Sequence, residues 1–226
     1  MNDWWSTLVV HLRYEFVLKI KQTQSLIQAL LFFIMMLLFF PMSLPASAQI
    51  LHQVGSGLIW IALLFVSLLA SEGLFQRPFE DGRLEQWLVS GESLPALFLA
   101  IIIIHSCVIM LPIVLLCPWI MILYGADGSF CWVTMLSLVT GAPGLIGLTV
   151  LAAAFNVGRM PRTTFMALIL LPLTLPIMIF GSSAPSVFAV QGTAMPVYAL
   201  LLAMSLMSLT GLPFAIAGVL RLRFED

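Results

Sequence analysis

Six long apolar stretches divide this chain, and its nine lysines and arginines all fall in alternate connections. Arg13, Lys19 and Lys21 precede the first stretch, and Arg77 and Arg83 lie between the second and third. Arg159 and Arg162 lie between the fourth and fifth, and Arg221 and Arg223 follow the sixth. The other three connections carry no Lys or Arg. Cytoplasmic loops of membrane proteins are enriched in these residues and external loops are not. The pattern predicts a multi-pass, all-α membrane protein with both termini in the cytoplasm. It also directs the search for function to the cytoplasmic connections.

Composition agrees. The 226 residues are 62% hydrophobic and 8% charged, with a mean hydropathy of +1.12. Soluble domains are roughly half apolar. A net charge of −1 argues against a nucleic-acid partner. Cys107, Cys117 and Cys131 are scattered and form no CxxC pair, so they read as small apolar residues rather than redox or metal groups. The size fits one membrane domain over 1–226 and leaves no room for a soluble catalytic one.

The spans read as roughly 24–44, 54–74, 95–123, 131–155, 164–182 and 196–219. Each reaches the ~20 residues needed to cross the hydrocarbon core. The external connections, 45–53, 124–130 and 183–195, hold turn formers such as Pro45, Gly125, Gly128, Pro185 and Gly192. Ala46-Ser47-Ala48 resembles a signal-peptidase site, but the preceding apolar run is longer than a signal core, so the run reads as a permanent helix. Residues 1–21 carry Trp5, Leu8, Val9, Leu12, Phe16 and Ile20 at helical spacing, with Arg13, Glu15 and Lys19 between. They predict an interfacial helix on the cytoplasmic face; the alternative is a solvated arm.

The stretch 75–94 is exceptional, with six charges: Arg77, Glu80, Asp81, Arg83, Glu85 and Glu92. From Glu80 it predicts a short amphipathic helix. Leu84, Trp87 and Leu88 anchor one face, Arg83, Glu85 and Gln86 lie largely elsewhere, and Gly91 ends the helix. An ordinary solvated loop is the alternative, but a mere connection has no need of Trp87 and Leu88 in register with Leu84.

Catalytic chemistry is missing. No Walker A sequence exists, because Lys occurs only at 19 and 21. There is no HExxH, no nucleophile elbow and no carboxylate pair inside a span. Glu72, near the cytoplasmic end of the second span, is the one charge within the predicted spans, which argues against ion-coupled transport. Work done by this chain needs energy from a partner. No catalytic, cofactor-binding or metal residue is expected. His52, in the first external connection, reads as a loop residue rather than a haem ligand, and His105 as a bond to another helix. Leu171–Gly181 carries Pro172 and Pro176. Two missing backbone donors predict a bend, packed inside protein or lining a cavity.

The Glu80-Asp81-Gly82-Arg83-Leu84-Glu85-Gln86 core, the Pro-x-x-x-Pro run and Asn156-Val157-Gly158-Arg159 resemble the haem exporter B family, CcmB. The likeness covers nearly the whole chain. There are departures: Arg77-Pro78 stands where the family tends to be acidic, Arg83 where a small hydroxyl residue is usual, Gly91-Glu92 replaces a proline-containing turn, and a lysine common at the start of the third span is missing. The resemblance implies an ABC-2 or type V exporter-like permease in the bacterial inner membrane. Glu80, Asp81, Gly82, Arg83, Glu85 and Gln86 would couple it to a separate ATPase, CcmA. Two copies would pair with two ATPases, beside CcmC and CcmD, and haem would be handled by the complex rather than this chain. ATP hydrolysis would drive release of the haem-loaded chaperone CcmE. A permease for another cargo (lipid, polysaccharide or drug) and a non-transporting scaffold for haem proteins are the competing readings.

Overall fold

The computed structural model describes residues 2–21, 23–43, 48–158 and 163–225. Among them are nine α-helices and one 3-10 turn. They are α1 (Asn2–Lys21), α2 (Thr23–Phe39, extended by the turn Phe40–Ser43), α3 (Ala48–Ser71), α4 (Gln76–Glu80), α5 (Arg83–Val89), α6 (Leu94–Leu123), α7 (Gly128–Phe155), α8 (Thr163–Gln191) and α9 (Met195–Glu225). Six are long and apolar enough to cross a membrane. The chain is an all-α membrane protein.

Helix α7 is the most buried span and α2 the least. The reason lies in side-chain size. Gly141, Gly144 and Gly147 recur at i, i+3 and i+6 on α7, and a Cβ at these positions would meet Trp60, the Ser205 hydroxyl or Leu212 at 3.0 Å or less. Small residues let helices approach closely where no hydrophobic force drives them together. Polar bonds then fix the register. The Ser205 hydroxyl donates to the Thr140 carbonyl at 2.7 Å and accepts from the Gly144 N–H at 3.1 Å. Trp60, fully buried, donates from its indole to Ser137 at 3.3 Å. A Cβ at Gly181 of α8 would sit 2.2 Å from the Trp60 ring, so α3, α7 and α8 meet around one indole.

Three features differ from the sequence expectation. The segment read as an external connection over 183–195 is mostly helix, since α8 runs to Gln191 and the turn is short. Pro185 is buried within it, where neighbouring helices cover the defect. Glu72 lies just beyond α3 and is exposed. On α1 the expected apolar face divides. Leu8 packs on Ala96 and Ala100 of α6, whereas Val9, Val10, Phe16 and Val17 point outward. Glu15 and Lys19 turn inward and are buried, while Arg13 is exposed. A helix exposing an apolar face to lipid can hide charges on its protein face, provided the protein supplies a polar wall. Residues Ala46 and Ser47 of the possible cleavage site, Arg159, Arg162 and the side chains of Trp5, Ile20 and His52 lie outside the described residues.

His105 behaves as expected of a polar group in a span. It shares a 2.9 Å hydrogen bond with the Ser71 hydroxyl of α3, which in turn bonds Thr149 of α7 at 3.1 Å. One polar relay joins α3, α6 and α7.

Candidate functional site

The site is a helix pair, α4 and α5, held against one end of the bundle. Local rules explain its shape. Pro78 is the third residue of α4, where a missing N–H costs nothing because the first turn has no intrahelical acceptor for it. Gly82 stands between the two helices at φ 72, a left-handed value that side chains disfavour, and Gly91 at φ 74 closes the segment. The sequence showed α5 but missed α4, because a proline among charges reads as loop.

The inner face is apolar and tight. Leu84 is completely buried, and Trp87 and Leu88 pack against the core. Phe75, 1% exposed, meets Phe98 of α6 edge-on, with ring centroids 5.9 Å apart at 78°. Edge-to-face pairs of this kind contribute roughly 0.5–1.5 kcal/mol beyond burial. Phe75, just before α4, thus seats the segment on α6, and Leu84 buries the inner face of α5 in the core.

The outer face is charged. Glu80, Asp81, Glu85 and Gln86 are exposed. Arg83 donates to Asp81 at 2.8 Å across the Gly82 turn. The Gln76 amide works at both ends. Its NH2 donates to Glu80 at 2.9 Å, and its carbonyl oxygen accepts from the Gly158 N–H at 3.1 Å. The 156–158 loop is thereby latched to α4, and Val157 beside it is buried. A third tie comes from α1, whose His11 imidazole lies 2.8 Å from the Glu92 carboxylate. Four parts of the chain, α1, α4, α5 and the α7–α8 link, meet at this one end. The ties from Gln76 and His11 were not legible in the sequence, since nothing there pairs residues about eighty positions apart.

Pro172 and Pro176 are elsewhere. They lie in a continuous α8, with Pro172, Leu173, Leu175 and Ile179 exposed on the outside and Thr174 and Ile177 buried. Within a single chain Pro172 is exposed and Pro176 is half-buried. Among the described residues no group of three or more His, Cys, Asp or Glu side chains is placed to hold a metal ion.

Residues 6–223 match the model of the family described as CcmB protein. A relative from Pseudomonas aeruginosa, named heme exporter protein B, is 36% identical over 203 residues, 89% of this chain and 91% of its own. Proteins of the same name from Haemophilus influenzae and Escherichia coli are 30% and 32% identical. They cover 95% and 94% of this chain, and 97% of their own length in both cases.

Proposed function

The chain belongs to the CcmB family, and from that premise we propose that it is the membrane permease subunit of an ABC transporter serving cytochrome c biogenesis. It contributes no catalysis of its own. A separate ATP-binding subunit, CcmA, docks on α4–α5, and its nucleotide-driven closure moves the permease. The assembly handles haem with CcmC and CcmD and frees the haem-loaded chaperone CcmE. The protein sits in the bacterial inner membrane with its termini and the α4–α5 face in the cytoplasm.

One observation carries this reading: an exposed acidic edge, Glu80, Asp81, Glu85, on a helix pair whose opposite face is locked into the bundle by Phe75 and Leu84. A solvated loop would yield when pushed. This pair transmits, because it is joined covalently to α3 and α6 and latched to the α7–α8 link. The motion is rigid-body displacement of packed elements. The exposed proline face of α8 favours a second copy beside it, because backbone carbonyls freed by Pro172 and Pro176 are costly against lipid. With α2 and α3, α8 forms the proposed dimer contact.

Reversing the charges of Glu80, Asp81 and Glu85 together tests the reading. Single exposed ion pairs contribute roughly 0–1 kcal/mol, but a reversed cluster repels its partner surface. Membrane insertion is expected to persist, recruitment of the ATPase to fall at least tenfold, and cytochrome c maturation to stop. Maturation at the wild-type level would remove α4–α5 as the coupling element. Orientation is tested by single cysteines. Gly128→Cys and Gln191→Cys are expected to react with impermeant reagent from outside, and Gln86→Cys only from the cytosol. External reaction at Gln86→Cys overturns the topology.

A further inference from the structure

Between α1 and the α4–α5 pair lies a cleft on the side away from the exposed edge of Glu80, Asp81 and Glu85. Its walls carry Glu15 and Lys19 from α1, Glu72 beyond α3, Arg77 from α4, and Arg83 and Trp87 from α5. Lys19 is 7% exposed and lines this cleft. Glu15 stands one turn away and supplies the opposing charge. A buried cation is costly unless opposite charge stands near it. Burial lowers its pKa to about 8, with Glu15 opposing that effect. Burial also pushes the Glu15 carboxyl up, against the pull of Lys19, His11 and Arg83. The protein thus holds opposite charges, partly desolvated, around a cleft that is open to a ligand.

The position identifies the ligand's class. Leu26, at the start of the first span, closes one side of the cleft, and α1 faces lipid through Val9, Val10, Phe16 and Val17. The cleft therefore opens at headgroup depth, and Ile27 and Leu31 leave an exposed apolar track down α2 for an acyl chain. Basic pockets between spans at this end of a bundle bind phospholipid headgroups. Here two carboxylates share the walls with three cations. A purely anionic headgroup would meet both carboxylates, and a purely cationic one all three cations.

We propose that the cleft seats a phospholipid headgroup bearing both a phosphate and a primary ammonium, the phosphate on Lys19 and Arg77 and the ammonium towards Glu15 and Glu72. Bound there, the lipid bridges α1 to α4. The proposal does not depend on the identity of the ATPase or of the cargo.

The test uses the purified full chain in detergent, with lipid retention read by native mass spectrometry. The probes are phosphatidylethanolamine and phosphatidylglycerol of matched acyl chains, and inorganic phosphate as competitor. Phosphatidylethanolamine is expected to bind about tenfold more tightly than phosphatidylglycerol. Lys19→Gln is expected to weaken both by a similar factor, and Glu15→Gln to erase the preference by weakening phosphatidylethanolamine alone. Arg77→Gln repeats the first arm should Lys19→Gln fail to fold. Wild-type retention is expected to fall as pH rises through about 8 and to stay flat in Lys19→Gln. The titratable and charged groups around Lys19 are Glu15, Glu72, Arg77 and Arg83 in the cleft and His105 of α6. Retention unchanged in Lys19→Gln and Arg77→Gln, or tighter binding of phosphatidylglycerol, overturns the proposal. Displacement of the lipid by millimolar inorganic phosphate assigns a free-anion site instead and overturns it too.

Discussion

Around α7, Gly141, Gly144 and Gly147 leave no space for a Cβ, whereas around α5 Gly82 and Gly91 have nothing within 4 Å of where one would stand. The same residue answers two demands. In the first region glycine is favoured by its neighbours: a Cβ would press on the Trp60 ring at Gly141, and Ser205 or Leu212 would have to shift at Gly144 and Gly147. In the second it is required by its own backbone, which takes φ 72 and φ 74 with open space around it. The bundle interior is therefore specified by contact and the α4–α5 rim by conformation. Damage to the first should appear as lost stability, and damage to the second as lost function in a protein that still folds.

The largest effect is expected in the interior. Trp60→Ala removes a fully buried indole and its bond to Ser137, and similar truncations cost about 3–5 kcal/mol. Gly181→Val should cost roughly 1–3 kcal/mol by overpacking the same ring. Thermal unfolding in detergent measures both. If Trp60→Phe restores part of the Gly181→Val loss, the contact is direct; strict additivity would show that the two act separately. A smaller effect is expected at the rim. Gly82→Val forces a branched side chain into the left-handed region for about 1–2 kcal/mol, yet ATPase recruitment should fall far more than stability does. Gly82→Asn, which tolerates that conformation, should keep recruitment. A Gly82→Val chain that recruits normally would erase the distinction between the regions.

A third effect concerns Lys19. Its pKa is held at about 8, below the ordinary 10.5. Between those values the unfolded chain keeps a proton that the folded chain has released. Stability of the lipid-free protein should therefore rise as pH climbs from about 8 to 10.5. Melting curves across that window test it, and the increment should vanish in Lys19→Met. A fall in wild type with no such difference would place Lys19 in water.

Much of this was legible in the sequence, for physical reasons. Span existence follows from apolar length, and the register of Leu84, Trp87 and Leu88 from the 3.6-residue period. The family followed from the Glu80–Gln86 core and the Pro172/Pro176 pair. What stayed hidden depends on partners distant in the chain. Periodicity shows that α1 has faces but not that Glu15 and Lys19 turn inward, because Arg77 and Arg83, which line the same cleft, come from another connection. Pro185 and the small residues before it look like a turn until Trp60 is seen beneath Gly181. Gln76 looks like any polar loop residue until Gly158 arrives to bond it.

The glycines of α7 also bear on how the gene can change. Every single-base substitution in a glycine codon that still encodes an amino acid different from glycine adds a Cβ. Positions 141, 144, 147 and 181 would each place that atom 3.0 Å or less from a neighbour. At Gly141 and Gly181 that neighbour is the rigid Trp60 ring, so change there is easiest after a change at Trp60, whereas at Gly144 and Gly147 Ser205 or Leu212 would have to shift. At the rim a new Cβ meets no neighbour, and the obstacle to change is the backbone's own left-handed conformation at Gly82 and Gly91.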